Sequence, residues 1–197
     1  MSSSSQASSS SQASSSSQAS SSSQPSSSSS QSSSSSSSSS QPEEIVNPVI
    51  KGSNFLSDVE SEIIDYINAE RQSLGLSTLE YNQDLRSAAR IRSRELLKAG
   101  MFEHKRPNGD EWHTVVTQDI VIKFIAAGEN LAEVEFDDPN GTYHTDAHRW
   151  FEQWKNSPPH YANITKPEYT HIGLGVYYEK SNGVTTAVAT TIFAQLP

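Results

Sequence analysis

The sequence contains no cysteine. Disulfides, thiolate metal sites and a cysteine nucleophile are therefore excluded, while the cellular compartment stays open. No apolar run approaches the roughly 18 residues needed for a membrane-spanning helix. The opening shows no basic segment followed by an apolar one, and Met1 is followed at once by serine. The reading favoured is that the given sequence lacks the true N-terminus of an exported protein. Positive charge is scarce: 14 Lys and Arg stand against 23 Asp and Glu, a net charge of -9. Every charged residue lies at or after Glu43. Such a domain repels phosphate backbones and anionic membrane surfaces, and no basic stripe interleaved with aromatics occurs, so nucleic acid is not expected as a partner.

What is abundant is serine. Residues 1–42 are almost wholly Ser with some Gln and Ala, and Ser2 to Ala7, Ser8 to Ala13 and Ser14 to Ala19 repeat Ser-Ser-Ser-Ser-Gln-Ala. This segment cannot bury enough apolar surface to offset the entropy of ordering it, and reads as a disordered spacer or a glycosylated stalk. Residues 43–54, with Ile45, Val46, Val49 and Ile50 around Pro48, read as an extended lead-in packed on the domain edge. Residues 55–197 suit one compact domain.

Within that domain the apolar pattern is first helical, then strand-like. Ser57 with Glu60 forms the pattern of a capping box, and Val59, Ile63, Ile64 and Ile67 fall on one helical face ending near Gly75. A second helix is expected from Asn82 to Ala99 with Gly100 as its stop. Weaker helical signal covers His113 to Asp119. Ala147, Trp150, Phe151 and Trp154 mark a buried helical stripe over Thr145 to Trp154. From Ile172 the period becomes two, Asn182-Gly183 signals a hairpin turn, and Val184 to Ala194 forms the return strand. Helices first and a hairpin last give an α+β layered domain.

Three clusters carry candidate chemistry: Phe102 to Gly109 around His104, Gly128 to Ala132 around Glu129, and Trp154 to Ile164, where two prolines precede His160. His144 and His148 are four apart near a helix start, without an evident third ligand, and read as a solvated polar face. His113 and His171 read as surface or cleft-edge residues, and Trp150 and Trp154 as core. Ser157 precedes two prolines and lacks a Gly-x-Ser-x-Gly elbow, so it reads as a cap or polar link rather than a nucleophile.

Together with His171-Ile172-Gly173-Leu174-Gly175-Val176, the three clusters in this order resemble the CAP superfamily, which covers cysteine-rich secretory, antigen 5 and pathogenesis-related class 1 proteins. The likeness is nearest to its bacterial, cysteine-free, SCP-like branch and spans about residues 55–194. It implies a three-layer α-β-α sandwich with a central antiparallel sheet, and a cleft lined by His104, Glu129 and His160, with Ser157 and Asn163 beside them. Ser157 stands where many members place a second Glu.

His104, His160 and Glu129 are a ligand set suited to Zn²⁺ or another divalent cation. The same residues suit acid–base work without metal, or plain support of the cleft wall, and these readings stay open. The resemblance points to a secreted or cell-surface monomer that binds a small apolar ligand or a protein partner rather than to an enzyme. A metal-assisted hydrolase of peptide or cell-wall substrates is the alternative.

Overall fold

The structure, a computed structural model, describes residues 46–137 and 140–197. The serine-rich arm, Ile45, and Asp138 and Pro139 lie outside the described residues. Among those described are helices α1 (Ser57–Ser73), α2 (Gln83–Ala99), α3 (Ala147–Lys155) and α4 (Pro158–Ile164), and strands β1 (Glu80–Tyr81), β2 (Ala126–Asp137), β3 (His171–Ser181) and β4 (Val184–Gln195). The sheet order is β1-β3-β4-β2. The three long strands are antiparallel, and β1 joins the edge of β3 as a two-residue parallel pair.

One sheet face carries Ile172, Leu174, Val176, Ala187, Ala189 and Phe193, which pack with Ile63 and Ile67 of α1 and Trp150, Phe151 and Trp154 of α3. The other face presents Ile192 and Ala194 to Leu85, Ala88 and Ala89 of α2. The domain is thus the expected α-β-α sandwich. The closeness of α2 to the sheet depends on glycine. A Cβ on Gly173 would lie 2.1 Å from the Arg86 nitrogen, and one on Gly175 2.6 Å from the Arg90 nitrogen. Backbone against backbone at that range leaves nothing able to yield.

Local signals set most boundaries. Asn82 caps α2 by accepting from the N–H groups of Asp84 and Leu85, and Gly100 ends it in the left-handed region. Asn182 and Gly183, both at positive φ, close the β3–β4 hairpin.

Four expectations need correction. Ser57 is the first residue of α1, but no side chain caps the helix at Leu56; the Glu60 carboxylate turns inward to Arg86, Arg90 and the Val176 N–H. The signal near His113 is a 3-10 turn, Trp112–Val116. The acidic, Gly- and Pro-containing stretch from Glu133 to Asp146, which by its composition is expected to be a loop, is strand in its first part, because β2 runs on to Asp137 in register with Val184. In the lead-in, Val46 and Val49 are exposed. The segment is held by polar bonds instead: Asn47 donates to Asp84, and the Ile50 carbonyl accepts from Arg90.

Candidate functional site

The site grows from two buried, oppositely charged side chains facing each other across the α2–sheet layer. Arg92 is on the inner face of α2. Glu129 is on β2 opposite Ile192, on the α2 face of the sheet. Both side chains are fully buried, and Arg92 Nε donates to Glu129 Oε1 at 2.7 Å. Burial works against the Arg92 charge, but the Glu129 and Glu95 carboxylates more than compensate, so its pKa lies above the ordinary guanidinium value.

The same guanidinium reaches the chain around His104. Its Nη2 donates to the backbone carbonyls of Glu103 and His104, each at 3.2 Å. The His104 ring then closes on the carboxylate, with Nδ1 2.8 Å from Glu129 Oε2. A carboxylate accepts, so Nδ1 carries a proton, and in the neutral ring Nε2 holds the lone pair. The His104 side chain is 45% exposed, so this lone pair belongs to a ring that solvent can reach. The charge network continues away from the ring: Arg92 to Glu95 at 2.5 Å, Arg106 to Glu95 at 2.8 Å, and Arg106 to Asp119 at 2.6 Å.

His160 arrives from the other side. Pro158 and Pro159 open the short helix α4, where a proline's missing N–H costs nothing. Asn130, next to Glu129 but on the opposite sheet face, donates to the His160 carbonyl at 3.0 Å, and Asn163 donates to Asn130 at 2.9 Å. One strand thus positions both histidines, one through Glu129 and one through Asn130. Burial lowers the His160 pKa, and the nearby His104, when protonated, lowers it further. Gly128 leaves room behind them: a Cβ there would meet the Tyr169 hydroxyl at 2.4 Å and Asn163 Oδ1 at 3.0 Å. Burial, then Glu168, pushes Tyr169 up to about 12, so it stays a neutral phenol.

The structure brings His104 and Glu129 into contact, sets His160 close enough to feel the charge of His104, and ties Asn163 to Asn130. Glu129 takes an orienting role, because both its oxygens are turned to Arg92 and His104. Among the described residues no group of three His, Asp or Glu is placed to hold a metal. Ser157 occupies the N-cap position of α4, with no capping bond from its side chain.

His144 is not on a solvated face. It is 4% exposed, packed against Phe136 and Tyr178. His148 is exposed, as are His113 and, in part, His171. Sequence reasoning missed Arg92 and Glu95. Their one sequence signal was charge placed among Ala88, Ala89 and Leu96 on the apolar side of α2.

A family model described as CAP, the cysteine-rich secretory protein family, matches residues 64–193. Among curated proteins, the chain is 28% identical over 143 residues to the uncharacterized protein YkwD of Bacillus subtilis, covering 73% of this chain and 51% of that one. It is 29% identical over 125 residues to the uncharacterized membrane protein YlbC of the same organism, covering 62% and 33%. The chain therefore spans about half of the first and a third of the second. Among solved structures, an extracellular protein containing an SCP domain from Bacillus anthracis aligns with a TM-score of 0.58 at 24% identity, covering 71% of this chain and 41% of that one. An outer surface protein from Borrelia burgdorferi aligns with a TM-score of 0.57 at 19% identity, covering 73% and 98%. These two likenesses concern the fold.

Proposed function

The chain belongs to the cysteine-rich secretory protein (CAP) family, and on that premise we propose that it is a monomeric binding module displayed outside the cell. Its working surface is the cleft formed by His104 and His160. The extracellular and outer-surface proteins that share its fold support the placement. One observation carries the reading of the site: His104 Nδ1 is fixed by a buried carboxylate that is itself fixed by a buried guanidinium.

A histidine whose second nitrogen donates to a carboxylate is the usual form of a metal-ligating imidazole. His104 and His160 therefore suit a divalent cation such as Zn²⁺, with Glu129 behind His104. A bound cation would supply open coordination positions for a group on the partner. Phe102, half exposed two residues before His104, offers apolar contact to a protein or a small apolar ligand.

The test is zinc titration by calorimetry on the purified chain. Wild type should bind one equivalent saturably, His104→Ala and His160→Ala should lose that binding, and Glu129→Gln should weaken it roughly 10- to 100-fold. A wild type that takes up no zinc at this site overturns the metal reading. The second reading, metal-assisted hydrolysis, is favoured by the same pair of imidazoles, because a cation held by His104 and His160 would keep a position open for water and make that water more acidic. Turnover of peptide or cell-wall polymers by wild type and not by His104→Ala would select that reading.

A further inference from the structure

The far end of β2 holds a second polar site. Along the strand, Phe136 is seven residues from Glu129, about 23 Å at the usual rise. Phe136 pairs in register with Thr185 of β4, and Thr185 pairs with Lys180 of β3. All three lie on the sheet face opposite α2, where Tyr178 precedes Lys180 by two residues. His144 closes this corner, with its ring centroid 4.7 Å from Tyr178 and 5.8 Å from Phe136.

Two buried polar atoms here have no hydrogen-bond partner: His144 Nδ1 and Thr185 Oγ1. Their residues are 4% and 1% exposed. A lone orphan is a defect that costs about 1–3 kcal/mol; two in one corner indicate a missing partner. Beside Thr185 is a depression of about 200 Å³ lined by Lys180, Ser181, Asn182, Gly183 and Thr185, and His144 packs behind it on Tyr178 and Phe136. At about 30 Å³ per water, that is room for several heavy atoms. Among the described lining residues Lys180 is the charged one, and no ion pair of Lys180 occurs among the described residues. Lys180 places a positive charge at this rim.

We propose that this corner is a binding site for a small oxyanion group, a carboxylate or a phosphate. Lys180 supplies the charge, the Thr185 hydroxyl donates, and His144 donates from Nδ1. The groups facing His144 are Lys180 and Tyr178 from β3, Phe136 from β2, and Tyr143 on its own turn, with Arg149 of α3 stacked on Tyr143. Burial and then Lys180 hold His144 below the ordinary imidazole value, and an anion in the depression would reverse the second influence. This site is separate from the His104–His160 cleft and does not depend on the reading given for it.

The experiment follows the His144 ring and the Thr185 amide by NMR, at constant ionic strength with chloride as the balancing ion. Inorganic phosphate and acetate are the two probes. One of them should shift both signals saturably, and the one that does names the oxyanion class. The pKa of His144 should rise as that probe is added. Lys180→Met, an exposed position that leaves the core intact, should weaken the response roughly tenfold, the value of a charge-assisted hydrogen bond. The nearly isosteric Thr185→Val should weaken it less. No saturable shift with either probe overturns the proposal, with water then the partner of the two orphan atoms. So does a response that survives Lys180→Met unchanged.

Discussion

Helix α2 carries two buried carboxylate–guanidinium clusters, and they end differently. In the first, Glu60 of α1 receives Arg86 Nε at 2.7 Å, Arg90 Nη2 at 2.7 Å and the Val176 N–H at 3.0 Å. Arg90 also reaches the Ile50 carbonyl and the Ser57 hydroxyl. Apart from the contact of Arg86 with the exposed Tyr81 hydroxyl, its bonds end on fixed groups, so this cluster ties the lead-in, α1, α2 and β3 together. In the second, Glu129 and Arg92 are as deeply buried, but one carboxylate oxygen is bonded to a half-exposed imidazole. The first cluster is a staple. The second transmits the rigidity of the core to a ring that solvent reaches. Burial of charge is common to both, and only the terminal residue separates structure from chemistry.

The largest expected effect breaks the staple. Glu60→Ala leaves the buried Arg90 and the partly exposed Arg86 guanidinium without their carboxylate and should cost about 3–5 kcal/mol of stability, read from urea unfolding. Loss of much less would mean that Arg86 and Arg90 find water, and the staple description fails. Next, Glu129→Gln keeps shape but removes the charge facing Arg92. It should cost about 1–3 kcal/mol and also release the His104 tautomer, seen in the ring nitrogen shifts. A Glu60→Gln variant should leave the His104 ring signals unmoved. If it moves them equally, the two clusters are one unit.

A smaller effect concerns acid. The His160 and His144 pKa values lie below the ordinary 6.5 in the native chain. Above 6.5 both histidines are neutral in folded and unfolded chains. As pH falls from 6.5 toward the native values, the unfolded chain takes up protons that the native chain refuses, so stability declines. Thermal midpoints measured over this window should fall in wild type and fall less in His160→Gln. Midpoints that stay flat would contradict burial of these rings. The smallest effect is at Lys98, whose ion pair with Glu179 is solvent-exposed. Lys98→Ala should leave the midpoint unchanged, in contrast to the buried pairs on the same helix.

Much of the framework was legible because its causes are local. The Asn82 cap, the Gly100 stop, the Asn182-Gly183 turn and the Trp150–Trp154 stripe each act within a few residues. Glu129 and His160 could be singled out because their neighbours match a family pattern. Their partners could not, since Arg92 is 37 residues from Glu129 in the chain. Glu60 shows the limit well: Ser57 and Glu60 have the spacing of a capping box, yet two arginines on α2 offer the carboxylate stronger, charge-assisted bonds than one backbone N–H.

The sequence by itself determined the period of α1, α2, α3, β3 and β4 and most of their ends, whereas strand β2 went unread. These follow from backbone sterics and from the alternation of apolar side chains. Only the tertiary structure decided which charges became buried, that β2 serves both faces of the site, and that His144 lies inside an aromatic corner. Those outcomes depend on side chains brought together from distant parts of the chain, where desolvation and pairing are settled jointly.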